Sequence, residues 1–144
     1  MFRAAVLYAP AGDAMRSLAE RIADGLDRKR FAVTVKAASA AAVSDLAAAD
    51  LVLLGSEPKG RTALHPDFSE LARALAGINL AGRVAGLFAA GGDAPLAALQ
   101  KALKDTDIQL GPEGLLRADQ ADTRRLSAWL ADLVAQLDKT TRAG

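Results

Sequence analysis

"LYAPAGDAMRSLAERIADGL", residues 7–26, joins the end of an apolar run to a turn containing Pro10 and Gly12, and the turn to a helical stripe. Met15, Leu18, Ala19, Ile22, Ala23 and Leu26 recur at steps of three and four, which places them on one face of a helix. Upstream, "FRAAVLY" (Phe2 to Tyr8) is continuously apolar after Arg3, the pattern of a strand covered on both faces. Strand, glycine turn and helix are the layout of a phosphate-binding loop, because a helix N-terminus presents backbone donors to an anion. Residues 9–14 are therefore the first candidate site.

Working outward, the same alternation runs to the end of the chain. In "FAVTVKA", Phe31, Val33 and Val35 alternate with Ala32, Thr34 and Lys36, as in a half-covered strand near a sheet edge. "ASAAAVSDLAAAD" (38–50) predicts a short, loosely packed helix, and "LVLLGS" (Leu51 to Ser56) a second buried strand. After the loop "EPKGRTALH" (57–65), Pro66 starts a helix with Phe68, Leu71, Ala72 and Leu75 on one face. "RVAGLFAA" (83–90) is a third buried strand; Leu96, Leu99 and Leu103 stripe a helix; "DIQL" (107–110) predicts a short fifth strand. Leu126, Trp129, Leu130, Leu133, Val134 and Leu137 form the last stripe, and residues 138–144, "DKTTRAG", are expected to fray. One domain over residues 1–137 accounts for the whole pattern.

Alternating strands and helices imply an α/β fold, a three-layer doubly wound parallel sheet. With right-handed crossovers and the half-polar second strand at an edge, five strands take the order 2-1-3-4-5. A ligand then sits where the winding reverses, at the carboxyl ends of the first and third strands. Three loops meet there: 9–14, 55–65 and 89–95.

Composition narrows the chemistry. The 144 residues carry 18 Lys and Arg against 17 Asp and Glu, a formal charge of +1. That balance argues against a nucleic-acid partner, and "DRKR" (27–30) falls where cations favour the end of the first helix. With no cysteine and one histidine, neither a thiol redox centre nor a metal cluster is expected. Dinucleotide and nucleoside-triphosphate motifs are absent, and Gly55-Ser56 stands where a phosphoacceptor domain needs an acidic nucleophile. Residues 1–14 resemble a secretory leader only faintly, with an apolar run at the minimum length, and a cytoplasmic protein without membrane contact is expected.

Four ordered pieces carry a family resemblance: residues 7–26, "AADLVLLGSEPKG" (48–60), "HPDFSELARAL" with "NLAGRVAGLFAAGGD" (65–75 and 79–93), and "GLLRADQADTRRLSAWLADLV" (114–134). Together they resemble the short-chain flavodoxins over nearly all of the chain. The resemblance implies a loop of the form S/T-x-T-G-N-T holding the FMN phosphate, and aromatic residues from the second and third loops around the flavin ring. Here the first loop reads Pro10, Ala11, Gly12, Asp13, Ala14, without a hydroxyl and with a proline that has no N–H. Asp13 is expected to cap the helix and occupy the donors that a phosphate would recruit. Hydrogen bonds to charged groups contribute about 1.5–3 kcal/mol each, and a carboxylate roughly 4 Å from a phosphate charge costs up to about 4 kcal/mol. Together these losses remove about 6 kcal/mol, which turns a nanomolar site into one of roughly tens of micromolar.

The second loop offers Ser56, Lys59 and Arg61, with His65 its one aromatic ring, and the third offers Gly91, Gly92 and Asp93. Lys59, Arg61, Asp13 and Asp93 form either a mixed-charge mouth for a small polar ligand or ordinary helix caps and solvated loop residues. Tyr8, Phe2 and Phe31 are expected in the core by their strand positions. Two functions remain open: a flavodoxin-like interaction module that has lost tight FMN binding, with no cofactor and an unnamed protein partner or small polar ligand; or an FMN-binding electron-transfer protein or small FMN-dependent oxidoreductase.

Overall fold

The computed structural model describes residues 1–59 and 64–143. Five strands, β1 (Phe2–Ala9), β2 (Phe31–Ala37), β3 (Leu51–Ser56), β4 (Val84–Ala89) and β5 (Gln109–Arg117), form one parallel sheet in the order β2-β1-β3-β4-β5. The connecting helices are α1 (Asp13–Asp24), α2 (Val43–Ala47), α3 (Ser69–Ala74) and α4 (Ala94–Leu103), and α5 (Thr123–Ala143) follows β5.

Side chains alternate across each strand and so divide the core into two layers. Ala4, Val6 and Tyr8 of β1 face Met15 and Ile22 of α1 and Trp129 and Leu133 of α5. Ala5, Leu7 and Ala9 face the other way, with Leu46, Leu71 and Leu99 of α2, α3 and α4. Every residue of β3 and β4 is buried, as their uninterrupted apolar runs require, whereas β2 at the edge is only partly covered. The three-layer doubly wound fold and its strand order are those that the sequence pattern implies. Phe31 and Tyr8 lie in the core, and Phe2 packs at its margin.

Two glycines set the layer spacing. A Cβ on Gly86 would meet Leu133 and Trp129, and one on Gly55 would fall inside the Phe88 ring. Trp129, fully buried, meets Phe88 edge to face at 6.3 Å between ring centroids. The basic cluster after α1 also acts as its position suggests: the Arg28 guanidinium donates to the Ala23 carbonyl at the helix end.

Three elements differ from the sequence pattern. Residues 38–50 divide into a 3₁₀ turn, Ala38–Ala40, and the single turn and a half of α2. The fifth strand starts two residues later than "DIQL", because Asp107 adopts a left-handed conformation (φ 63°), and it runs on to Arg117. Residues 111–114 all stand opposite Gly86 in a bulge, between the Leu110–Ala85 and Leu115–Leu87 pairings. The Gly-Pro-Glu-Gly stretch that reads as a strand end is thus an interruption within one strand. Finally, α5 continues past residue 137, where the apolar stripe ends, to Ala143. Asp138 pairs with Arg30 at 2.7 Å, and the Thr140 hydroxyl meets Gln109 Oε1 at 2.7 Å, so both residues tie the last turns to the sheet.

The Gly55–Phe88 contact sits at the carboxyl end of the sheet and leaves no room for a methyl group. Gly55→Ala is expected to lower stability by about 1–3 kcal/mol, the usual range for overpacking a filled core, measured as a shift in the urea unfolding midpoint.

Candidate functional site

The carboxyl ends of β1, β3 and β4 bring the three loops together. Ala9 O accepts from Glu57 N at 3.0 Å, and Ser56 O from Ala90 N at 3.3 Å. Of the sequence candidates, Pro10, Ala11 and Gly12 form the link from β1, and Asp13 and Ala14 open α1. Ser56 ends β3, Lys59 lies exposed three residues further on, and Gly91, Gly92 and Asp93 lead into α4. Arg61 lies outside the described residues.

Asp13 does not cap α1. The residue with extended backbone before the helix is Gly12 (φ −153°, ψ 168°), which has no side chain to offer. Asp13 is already helical, and its exposed carboxylate is taken by Arg16 one turn on, at 2.6 Å. The carboxylate that does reach the first loop comes from elsewhere: Asp67 Oδ2 accepts from Ala11 N–H at 3.4 Å. Asp67 belongs to a 3₁₀ turn, Pro66–Phe68, capped by His65, whose Nδ1 accepts from Asp67 N–H at 3.1 Å.

Ser56 is fully buried, and its hydroxyl is engaged twice. It donates to Glu57 O at 2.8 Å and accepts from His65 N–H at 3.3 Å. It therefore fixes the second loop to the sheet. His65 itself is an anchored cap and not a free loop residue.

The third loop is held from β5. Gly91 takes a positive φ of 79°, a conformation natural to glycine, and its N–H donates to Asp119 Oδ2 at 2.9 Å. Arg117 bridges Asp119 and Asp93. Its Nη1 donates to Asp93 Oδ1 at 3.2 Å and its Nη2 to Asp119 Oδ2 at 3.4 Å. Arg117 Nε approaches Asp119 Oδ1 at 2.9 Å but is not aligned to donate, so that contact is Coulombic only. Burial raises the Asp119 carboxyl pKa, but the Gly91 N–H and the guanidinium outweigh it, and the net shift is downward. For Arg117, burial lowers the pKa and the two carboxylates more than restore it. Asp93, open in sequence to a place in a charged mouth or to an ordinary loop role, is engaged by Arg117 across the loop.

Beside these loops lies an open cleft of about 470 Å³, floored by Met15, Leu18 and Ala90 and edged by Arg21, Glu57 and Asp119. The described residues fit an FMN phosphate poorly: the first loop presents no hydroxyl, and its Ala11 donor already faces a carboxylate. The described residues of the second and third loops supply His65 as their one ring, and His65 is turned to Asp67. Among the described residues no group of three acidic or histidine side chains could hold a metal ion, and no helix is long and apolar enough to cross a membrane.

Asp67, Arg117 and Asp119 escape a motif search because each works through a backbone amide or an ion pair made across the fold. Asp67 carries a partial signal in its Pro-Asp pair at a helix start. The Asp119 carboxylate supplies stability that is complete above its ordinary value of 3.8 and is lost as pH falls through its lower folded value. Asp119→Ala is expected to cost about 1 kcal/mol at pH 7, from one backbone hydrogen bond and a solvent-screened ion pair. In urea unfolding at descending pH, the gap between variant and wild type should close below pH 3.8.

No protein-family model matches the chain, and a comparison with curated proteins finds no match. Solved structures do match. A short-chain flavodoxin associated with a non-canonical PDU bacterial microcompartment superposes with a TM-score of 0.82 at 19% identity, over 95% of this chain and 99% of its own. Oxidised flavodoxin 2 from Bacillus cereus gives 0.80 at 20% identity, over 93% and 99%. The Fusobacterium nucleatum flavodoxin bound to flavin mononucleotide gives 0.76 at 12%, over 94% and 99%. At these identities the likeness speaks for architecture: the chain has the flavodoxin-like fold.

Proposed function

We propose that the chain is a flavodoxin-fold interaction module whose crevice does not bind FMN tightly, acting in the cytoplasm on a protein partner or a small polar ligand. One observation carries this reading: the Asp67 carboxylate stands 3.4 Å from Ala11 N–H, inside the loop where a phosphate would need donors. A phosphate there meets a like charge in addition to the missing hydroxyls, a penalty of up to about 4 kcal/mol near a surface. Backbone geometry supports a second reading, an FMN-binding electron-transfer protein or small FMN-dependent oxidoreductase. Gly12 leaves the start of α1 without a side-chain cap, so helix donors remain for an anion. FMN, if held, would rest on those donors and supply the redox chemistry, while Met15 and Ala90 line the adjoining cleft.

The protein purified from riboflavin-supplied cells is expected to be colourless. Titrating FMN fluorescence with it should give no saturation tighter than roughly tens of micromolar, the affinity left after a loss of about 6 kcal/mol. A yellow protein, or saturation at low micromolar concentration, would overturn the interaction-module reading in favour of electron transfer.

A further inference from the structure

Besides the Glu57 N–H bond to Ala9 O, the first loop is held through Asp67, and Asp67 lies against the His65 imidazole. Nδ1 of His65 accepts the Asp67 N–H at 3.1 Å, which assigns the lone pair to Nδ1 and the neutral ring's proton to Nε2. The same Nδ1 lies 3.6 Å from Asp67 Oδ1. The other oxygen of that carboxylate, Oδ2, accepts from Ala11 N–H in the first loop. The His65 N–H is anchored on the buried Ser56 hydroxyl at the end of β3, and its side chain is 12% exposed. One carboxylate therefore lies between a backbone donor of the first loop and a ring nitrogen that can take up a proton.

We propose that His65 is a proton-operated clasp between the two loops, closed when the imidazole is neutral and released when it is charged. Proton uptake at Nδ1 converts an acceptor into a donor. Asp67 N–H loses its partner, while Asp67 Oδ1 gains a charge-assisted one, a stronger bond than a neutral contact. The carboxylate is drawn toward the imidazolium and away from Ala11, whose N–H is freed. Histidine is the side chain whose charge ordinarily changes between about pH 5 and 8, and the chain has one.

Among the described residues, Asp67 is the ionised partner within 4 Å of the ring. The adjoining elements carry Glu57 after β3, Glu70 in α3, and Asp13 of α1, which is bound to Arg16. Carboxylates ordinarily complete their titration below about pH 5, outside the range of the switch. The clasp rests on loop geometry and not on the functional reading above.

The test is an NMR titration of the full-length isotope-labelled protein, stripped of any flavin, from pH 8 to 5 in chloride. The Ala11 and Asp67 amide resonances are expected to shift with the same midpoint as the His65 ring, Ala11 moving toward the position of an unbonded amide. His65→Asn keeps a side-chain acceptor for Asp67 N–H, since asparagine is a favoured cap, but cannot titrate. In that variant Ala11 should hold one position throughout, and it should also do so in Asp67→Asn, which removes the charge that the imidazolium attracts. An Ala11 amide that ignores the wild-type ring, one that still titrates in either variant, or a ring that stays neutral down to pH 5 would each overturn the clasp. A yellow preparation overturns only the functional reading, because the stripped protein still reports on the clasp.

Discussion

Covering β1, β3 and β4 on both faces is the constraint on which the rest of the molecule depends. A polar group placed within such a layer must find a partner there or lose the free energy of an unmade hydrogen bond. Of the twelve residues of β3 and β4, only Ser56 carries a polar side chain, and it stands at the last position with both its hydrogen bonds satisfied. Polar chemistry is thereby displaced to the strand ends. The order of the strands decides which ends meet: with β1 and β3 adjacent and their helices on opposite faces, the loops that follow them face each other across the winding reversal. The crevice is a consequence of how the sheet is buried.

Two of the three loops of that crevice are each secured by a carboxylate contributed from outside the loop. The first loop meets Asp67, which enters from the turn before α3, and the third meets Asp119, which enters from the end of β5. The two anchors differ in kind. Asp119 is paired with Arg117 and makes a short bond to Gly91, so the third loop has a fixed, charge-paired tie. Asp67 has no cation paired with it among the described residues other than the His65 ring, and it reaches Ala11 over a longer distance, so the first loop has the weaker of the two. The bulge over residues 111–114 is what brings Arg117 level with Ala89 and hence within reach of Asp93. An irregularity in one edge strand therefore determines how a loop two connections away is held.

Much of the fold was legible because burial repeats. A strand covered on both faces reads as an apolar run, and a helix against it reads as a stripe; residues 2–9, 51–56 and 84–89 and the α5 stripe from Leu126 to Leu137 needed nothing else. The misread elements depend on a single residue or on a contact far away in sequence. Asp107 ends one pattern by a left-handed backbone, and Thr140 and Asp138 extend another by bonds to Gln109 and Arg30. At the crevice the sequence located the three loops and the lack of hydroxyls in the first. It pointed to Asp13 as the intruding carboxylate, whereas Gly12 takes the cap position and Asp13 turns to Arg16. Local capping preference cannot foresee a competitor three residues along the same helix, nor an acid 56 residues away.

The internal carboxylates also bear on what the crevice can accept. Backbone donors at the end of a buried sheet need acceptors whether or not a ligand comes. A loop rich in hydroxyls leaves that need to an anion; this chain meets it with Asp67 at Ala11 and Asp119 at Gly91, so both donors already face negative charge. An anionic ligand must displace a carboxylate or lie beside it, whereas a neutral or cationic group meets acceptors already in place. The apolar floor of Met15, Leu18 and Ala90 adds contact area without demanding charge. Taken together, these features suit a donor-rich or apolar group in the crevice better than a phosphate. The same argument gives the proton on His65 its consequence: it adds a positive charge and withdraws a negative one at the same edge of the crevice.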